Sequence, residues 1–121
     1  MRIESKKYLY DIIQASALAL EFIRGKSFAD YESDAMLRSA VERQLEIVGE
    51  ALAQLARIDP ETVSQMSEYR RIIAFRNILI HGYANIDNRI VWNVLELKLP
   101  IIHREAESAL RGGEERGEPG K

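Results

Sequence analysis

Hydrophobic residues recur every three to four positions over most of the chain, which is the spacing of one face of an α-helix. The first such segment runs from about Ile3 to Arg24. Its apolar positions are Tyr8, Ile12, Ala15, Ala19 and Phe22. The second runs to about Arg57, with apolar positions at Leu37, Val41, Leu45, Val48, Leu52 and Leu55. The pattern therefore predicts two long amphipathic helices in the first half of the chain.

Short polar segments separate these helices. Gly25 is placed to end the first helix. The stretch KSFADYESD then reads as a connection in which Asp30, Ser33 or Asp34 could cap the second helix. Pro60 breaks the helical pattern and allows one extra short helical turn after it.

Two further helices are predicted in the second half. A third main helix, from about Ser67 to His81, is apolar on nearly every side, so we expect it to be buried all round, by its own bundle or by a second subunit. Asp87 is placed to cap a last helix from about Asn88 to Arg111. Pro100 lies inside that helix and should kink or split it, because proline removes one backbone donor.

The predicted fold class is all-α. Four main helices with short links favour an antiparallel four-helix bundle with a kinked last helix and room for one extra short helix. The 121 residues suffice for one ordinary core. We expect the helical domain to span residues 1–111 and the polar, Gly-rich segment 112–121 to be a disordered tail.

Composition and charge exclude several classes of function for this chain. A net charge of −2 argues against a chain that coats nucleic acid through bulk positive charge. Without cysteine there is no disulfide framework and no thiolate nucleophile. No apolar run approaches the ~20 residues of a membrane span, and the first residues lack a signal-peptide pattern. We therefore expect a cytoplasmic protein that makes no membrane contact.

Three polar residues interrupt the most apolar run, IIAFRNILIHGY: Arg76, Asn77 and His81. Burying such groups costs free energy unless each finds a partner. On an ideal helix Asn77 and His81 share a stripe and can touch, whereas Arg76 and His81 point about 140° apart. Gly82 could let the chain leave the helix after His81 and swing the imidazole round. This spacing favours a site at a helix terminus.

Structural explanations exist for each of these residues taken singly. Arg76 could form an ion pair with Glu46 or Glu50 on the second helix, and His81 could cap the carbonyls at its helix end. Tyr83, two residues later, could be a packing aromatic.

Two further features have structural interpretations. Gly49 in mid-helix indicates close helix approach, at a dimer interface or in the core. His103 and Glu107, one turn apart, lack the other carboxylates of a metal site, so we interpret them as a solvated helix pair and expect no metal.

The residues RNILIHGY, 76 to 83, contain the pattern R-x4-H-x-Y, and in this they resemble the HepT-like toxins of the HEPN superfamily. The resemblance extends to RQLEIVGEAL (43 to 52) and NIDNRIVWNVLELKLPII (85 to 102), and it covers roughly residues 5 to 108. It implies a homodimeric, metal-independent endoribonuclease without a cofactor, in which two copies form one composite cleft.

The resemblance also implies roles for individual residues. His81 would be the acid–base residue of RNA cleavage, and Arg76 would hold the scissile phosphate. Asn77 would orient the imidazole or add a hydrogen bond. Arg70 and Arg71, one to two turns upstream, could hold flanking phosphates.

A partner protein is implied as well. In such toxin–antitoxin systems of type VII, a minimal nucleotidyltransferase antitoxin attaches AMP to the motif tyrosine, here Tyr83. Two alternatives remain open at this point. One is a non-catalytic adaptor that binds the nucleotidyltransferase or its nucleotide without cutting RNA. The other is a purely structural helical dimer in which the motif residues form internal ion pairs.

Overall fold

The computed structural model describes residues 1–82 and 86–116, and this part of the chain is helical without any strand. The helices are α1 (Ile3–Phe22), α2 (Phe28–Ser33), α3 (Ala35–Ile58), α4 (Pro60–Val63), α5 (Tyr69–His81), α6 (Asn88–Asn93) and α7 (Leu99–Arg116). A π-helical turn, Val94–Lys98, joins α6 to α7. The predicted all-α class is confirmed. The four main helices correspond to α1, α3, α5 and the joined α6–α7, and α4 is the extra short helix.

Helix α3 lies at the centre of the bundle. It packs against α1 on one side and α5 on the other, and α1 also packs against α7. The buried residues of α3 are Val41, Leu45, Val48, Gly49, Ala51, Leu52 and Leu55. They include most of the predicted apolar stripe. Because α5 rests on α3, this arrangement determines which side of α5 faces the core and which faces solvent.

Side-chain caps define the helix starts. Asp34, one of the three proposed caps, accepts from the backbone N–H of Leu37 at 3.0 Å and begins α3. The preceding stretch is more than the connection predicted for it, since Ser27 and Asp30 form a reciprocal capping box that begins α2. Hydrogen bonds with Ser27 lower the pKa of Asp30, which stabilises its ionised form in that box.

The last helix is divided just before Pro100, in agreement with the predicted kink or split: α6 ends at Asn93 and α7 begins at Leu99. Proline has no N–H to donate to the carbonyl four residues earlier, and the π-helical turn ends just before it. There Leu99 donates to the carbonyl of Val94, five residues back, and the helix continues.

The predicted end of the last helix at Arg111 was too early. Helix α7 ends at Arg116, so residues 112–116, which we expected in the tail, are helical. Gly113 lies against Met1 within this extension. Residues 117–121, the rest of the predicted tail, lie outside the described part of the chain.

An aromatic cluster joins α2 to α6. The ring of Trp92 lies 5.6 Å from that of Tyr31 and 6.3 Å from that of Phe28. Trp92 is therefore a core residue of the single chain. Burial raises the pKa of the Tyr31 hydroxyl. Among the described helices, none is both long and apolar enough to span a membrane.

A saturated polar cluster ties α1 to the corner between α3 and α4. One carboxylate oxygen of Asp59 accepts from the hydroxyls of Ser5 and Thr62, each at 2.7 Å. The other accepts from the backbone N–H of Thr62 at 3.2 Å. Burial opposes ionisation of Asp59, but the hydrogen bonds from Ser5 and Thr62 outweigh it and lower the pKa of Asp59.

Candidate active site on helix α5

Helix α5 has one buried side and one exposed side. Ile72, Phe75 and Leu79, at helical spacing, are buried. The exposed side carries Arg70, Arg71, Ala74, Asn77, Ile78 and His81. The expectation that α5 is buried all round was therefore wrong for the single chain. Ile78, three residues before the end of the helix, is 55% exposed.

Arg76 lies on the flank between these two sides. Its Nη2 is 2.6 Å from Oε1 of Glu50 on α3, and the Arg76 side chain is only 27% exposed. Its Nη1 donates to Oδ1 of the neighbouring Asn77 at 3.2 Å. The predicted ion pair with α3 is thus confirmed for Glu50. The other candidate, Glu46, instead lies 3.5 Å from Arg43 on its own helix.

Gly49 allows α3 and α5 to approach closely at this point. A Cβ atom at position 49 would lie 2.3 Å from Cβ of Arg76 and 2.7 Å from its Cγ. It would also lie 3.4 Å from the backbone oxygen of Ile72. Of the two explanations for a glycine here, the structure supports a contact within one chain. The glycine provides the space in which the aliphatic part of Arg76 lies.

One donor of Arg76 is left without a partner. Its Nε is buried and makes no hydrogen bond within the described part of the chain. A buried donor without an acceptor costs roughly 1–3 kcal/mol, so such groups are rare in folded proteins. Folding therefore holds this guanidinium at a position that stability alone would not favour. Proteins break this rule mainly at functional or strained sites. The hydroxyl of Tyr31, in the aromatic cluster, is the other such atom among the described residues.

His81 is the last residue of α5, and its side chain is exposed. The following residue, Gly82, has φ −106° and donates to the carbonyl of Ile78 at 2.7 Å. Any side chain at position 82 would be crowded, since its Cβ would lie 2.9 Å from that carbonyl oxygen. The helix thus ends as predicted, but without the left-handed conformation typical of glycine.

The predicted convergence of the polar residues is only partly observed. Arg76 and Asn77 are joined by a hydrogen bond. His81 keeps its helical position, and among the hydrogen bonds of the described residues none joins it to Arg76 or Asn77. The structure thus shows no hydrogen bond between Asn77 and His81, and the swing of the imidazole towards Arg76 stays a prediction.

Two more arginines lie at the start of α5, and both are exposed. Arg70 lies over the ring of Tyr69 at 5.2 Å. Arg71 lies 3.9 Å from Glu68, whose carboxylate also binds Lys98 at 2.8 Å. The hydrogen bond from Lys98 lowers the pKa of Glu68, so that carboxylate stays ionised beside Arg71. Arg70 is consequently the less neutralised of the two arginines.

The segment after α5 is described only in part. Tyr83 lies outside the described residues, so its predicted role stays a prediction. Asp87 begins α6 as predicted, with its carboxylate accepting from the backbone N–H of Arg89 at 2.9 Å.

The second histidine has a structural role. His103 Nδ1 is 2.9 Å from the hydroxyl of Ser16 on α1, and its Nε2 is 3.5 Å from Glu107. Ser16 is fully buried and donates to the carbonyl of Ile12. The pairing with Glu107 is confirmed, but the interpretation as a solvated pair was wrong, because His103 links two helices. The described residues contain no group of three potential metal ligands.

Sequence reasoning missed two residues that lie behind Glu50. Gln54 donates to Oε2 of Glu50 at 2.9 Å, and Arg57 donates to Oε1 of Gln54 from two nitrogens, at 2.7 and 3.1 Å. Their spacing along α3, four and then three residues, places them on one face of the helix. That polar stripe opposite the apolar one was visible in the sequence.

The fold and the site define an all-α domain with an arginine and a histidine at R-x4-H spacing near the end of one helix. A family profile described as "Ribonuclease HepT-like" matches residues 12–109. The chain belongs to this ribonuclease HepT-like family, as its resemblance in the R-x4-H-x-Y segment had predicted.

Similar proteins agree with this family. The "Probable ribonuclease HepT" of Thermococcus cleftensis is 34% identical over 106 residues, which cover 84% of this chain and 92% of that protein. A protein of Methanocaldococcus jannaschii, provisionally named as an RNase, is 32% identical over 84% of this chain and 93% of its own length. A protein of Caldanaerobacter subterraneus, also provisionally named as an RNase, is 31% identical over 88% of this chain and 94% of its own length. No solved structure matches the chain significantly.

Proposed function

We propose that this chain is a metal-independent endoribonuclease in which Arg76, Asn77 and His81 carry the reaction. The observation that supports this most directly is the state of Arg76. Its guanidinium is held between Glu50 and Asn77, although one of its buried donors has no partner. Family membership and the names of the similar proteins support RNA as the substrate.

The proposed reaction uses the RNA's own 2′-hydroxyl as the nucleophile. Its oxygen attacks the adjacent phosphorus while the bond from phosphorus to the 5′-oxygen breaks, leaving a 2′,3′-cyclic phosphate and a free 5′-hydroxyl. An imidazole suits the two proton transfers, from the attacking oxygen and to the leaving oxygen, because it exchanges protons at neutral pH. Arg76 offsets the charge that develops on the phosphate oxygens. Arg70 and Arg71 hold flanking phosphates.

We further propose that the active form is a homodimer. In one copy Arg76 is paired with α3 on the flank of α5, whereas His81 is exposed at the helix end. The two positions are about 140° apart on an ideal helix, so we infer that both side chains reach one phosphate only when a second copy completes the cleft. The exposed surface beside His81 contains Ala74 and Ile78, which a second copy could cover. A two-fold dimer pairs the same surface with itself and brings two copies of each side chain together. Sedimentation should then give twice the chain mass of 13.8 kDa.

The biological role we propose is that of a cytoplasmic toxin of a type VII-like toxin–antitoxin system. A cognate nucleotidyltransferase would neutralise it by attaching AMP to Tyr83. A phosphate ester two residues from His81 would place tethered negative charge near Arg76 and compete with the RNA phosphate. The support for this role is family membership and the position of Tyr83 in the sequence.

Growth after induced expression tests the proposal. We expect the wild type to stop growth and fragment cellular RNA, and His81→Ala to do neither while accumulating as folded protein. Tyr83→Phe should remain toxic when the nucleotidyltransferase is supplied, whereas the wild type should be neutralised. If the wild type leaves growth and RNA intact, the ribonuclease proposal fails. The non-catalytic adaptor then becomes the better explanation.

A further inference from the structure

A ladder of polar side chains runs along α3 and ends at Arg76. Arg57 donates to Gln54, and Gln54 donates to Oε2 of Glu50 at 2.9 Å. The other carboxylate oxygen of Glu50 is 2.6 Å from Nη2 of Arg76. Asn77 on α5 completes the ladder by accepting from Nη1 of Arg76 at 3.2 Å. Five side chains from two helices thus form one series, joined by hydrogen bonds and by the ion pair between Glu50 and Arg76.

The neighbours of Gln54 determine which end of its amide donates and which end accepts a hydrogen bond. An amide has one accepting and one donating end, and only one orientation of Gln54 places its NH2 on the carboxylate and its oxygen on Arg57. Glu50 is in turn held at both oxygens, by Gln54 and by Arg76. The carboxylate therefore has little freedom to rotate away from the guanidinium.

This arrangement leaves a defined set of donors on Arg76. A guanidinium has five N–H groups in a rigid plane. One binds Glu50, one binds Asn77, and the Nε–H is buried. One N–H on each terminal nitrogen remains. Free guanidinium N–H groups are suitable donors for the oxygens of a phosphate.

Stability does not account for the Glu50–Arg76 pair. The side chains of Glu50 and Arg76 are 47% and 27% exposed, and solvent screening keeps the contribution of such a partly open ion pair to the free energy of folding small. The pair also places a negative charge beside the proposed phosphate site, which opposes RNA binding. A carboxylate at that position is useful only if orientation of the guanidinium matters more than attraction of the phosphate.

We propose that Glu50 is a positioning residue for Arg76, itself oriented by Gln54 and Arg57. This inference rests on the proposed ribonuclease function. Glu50 fixes the plane of the guanidinium and so raises the rate at which bound RNA is cleaved. Its negative charge weakens the binding of RNA. Loss of the carboxylate should therefore lower kcat and lower KM together.

The test compares Glu50→Gln with Glu46→Gln. Both variants remove one negative charge from α3, one turn apart, but Glu46 pairs with Arg43 and not with Arg76. On a single-stranded oligoribonucleotide carrying a fluorophore and a quencher, Glu50→Gln should lower kcat by about tenfold or more, since small misplacements of a reacting group are costly. Its KM should fall, and Glu46→Gln should change neither constant.

A spectroscopic readout separates positioning from loss of folded protein. In the wild type and in Glu46→Gln, the Arg76 Nε–H signal in 15N NMR should report a rigid side chain. In Glu50→Gln that signal should move to the position of a mobile arginine. A smaller pool of folded enzyme would lower kcat but could not lower KM or free the Arg76 side chain alone.

The outcomes are distinguishable. If the wild type cleaves RNA and Glu50→Gln leaves kcat, KM and the Arg76 signal unchanged, the positioning role is overturned. If the wild type does not cleave RNA but Glu50→Gln still moves the Arg76 Nε–H signal to that of a mobile side chain, the proposed ribonuclease function is wrong. The orientation of Arg76 by Glu50 is then still supported. Should Glu50→Gln not fold, Gln54→Met removes the support behind Glu50 and keeps its carboxylate. It should shift kcat, KM and the Arg76 signal in the same directions by smaller amounts, and unchanged values would overturn the proposal.

Discussion

Two polar clusters lie between helices of this domain, and they differ in how completely their hydrogen bonds are satisfied. At the corner of α1, α3 and α4, the carboxylate of Asp59 accepts three hydrogen bonds from Ser5 and Thr62, both of them buried. Between α3 and α5, Arg76 has two partners and one buried donor without any. The first cluster is what stability favours. The second leaves a buried donor unsatisfied, which is what we expect if Arg76 serves the proposed phosphate site and not stability alone.

This difference gives each cluster a distinct set of consequences when it is altered. Changes at Asp59 should affect the free energy of unfolding and leave RNA cleavage by the folded protein intact. Changes that reach Arg76 should affect cleavage more than stability. A variant that lowers both the free energy of unfolding and RNA cleavage shows that helix packing and the site depend on each other.

Gly49→Ala should have the largest effect on stability, because it is the one change that affects packing and site together. The added Cβ would lie 2.3 Å from Cβ of Arg76, an atom next to the backbone that cannot move without shifting α5. We expect a loss of about 1–3 kcal/mol in the free energy of unfolding, as for other overpacked interfaces. Cleavage by the folded fraction should fall as well. Urea unfolding and cleavage assays on the same preparation measure both.

Gly113→Ala in α7 is the matched control. Its Cβ would meet the flexible end of the Met1 side chain, which can move aside. Alanine is favoured over glycine inside a helix by roughly 1 kcal/mol, so this variant should be as stable as the wild type or more so. Equal behaviour of the two alanine variants would contradict the close contact between Gly49 and Arg76.

Asp59→Asn should have a smaller effect, one that depends on pH. Because the pKa of Asp59 is lowered in the folded state, its ionised form stabilises the protein above its ordinary value of 3.8. That contribution is lost as the pH falls through the lowered pKa. Asparagine can still cap α4 but cannot ionise, so we expect a loss of about 1 kcal/mol at pH 7 that shrinks towards pH 3.

Thermal or urea unfolding of the wild type and Asp59→Asn across this pH range tests the expectation. RNA cleavage by the folded variant should match that of the wild type at pH 7. A difference in stability that stays constant with pH would show that the ionised carboxylate is not what stabilises this corner.

Much of the fold was predictable because hydrophobic periodicity reports burial directly. The stripe on α3, the break at Pro60 and the cap at Asp87 are local features of the sequence, and each is confirmed. The side of α5 that faces the core was not predictable in the same way. That helix has apolar residues on nearly every side, so its periodicity indicates the buried side less clearly, and packing on α3 decides that Ala74 and Ile78 are exposed.

The polar contacts were predictable only where the sequence supplied a clear candidate. Glu50 was one of two carboxylates a turn apart, and the choice between them depends on the crossing of α3 and α5. The contact between Ser16 and His103 joins residues 87 positions apart in the chain, and no local pattern signals it. Placement of the π-helical turn before Pro100 likewise depends on how the last helix packs.

The most direct test of the account compares the chain's two histidines. His81→Ala and His103→Ala would be purified, and RNA cleavage in the presence of EDTA and the free energy of unfolding would be measured on the same preparations. We predict that His81→Ala lowers cleavage by roughly 10²–10⁴-fold, the usual contribution of an acid–base residue. Its stability should stay within about 0.5 kcal/mol of the wild type, as expected at an exposed position.

His103→Ala should show the reverse. It removes the contact that joins Ser16 on α1 to α7, while Ser16 keeps its bond to the carbonyl of Ile12, so we expect a loss of about 1 kcal/mol in the free energy of unfolding, with cleavage by the folded protein retained. If His81→Ala instead cleaves RNA at the wild-type rate, or loses activity only because it unfolds, the assignment of catalysis to the exposed end of α5 is contradicted.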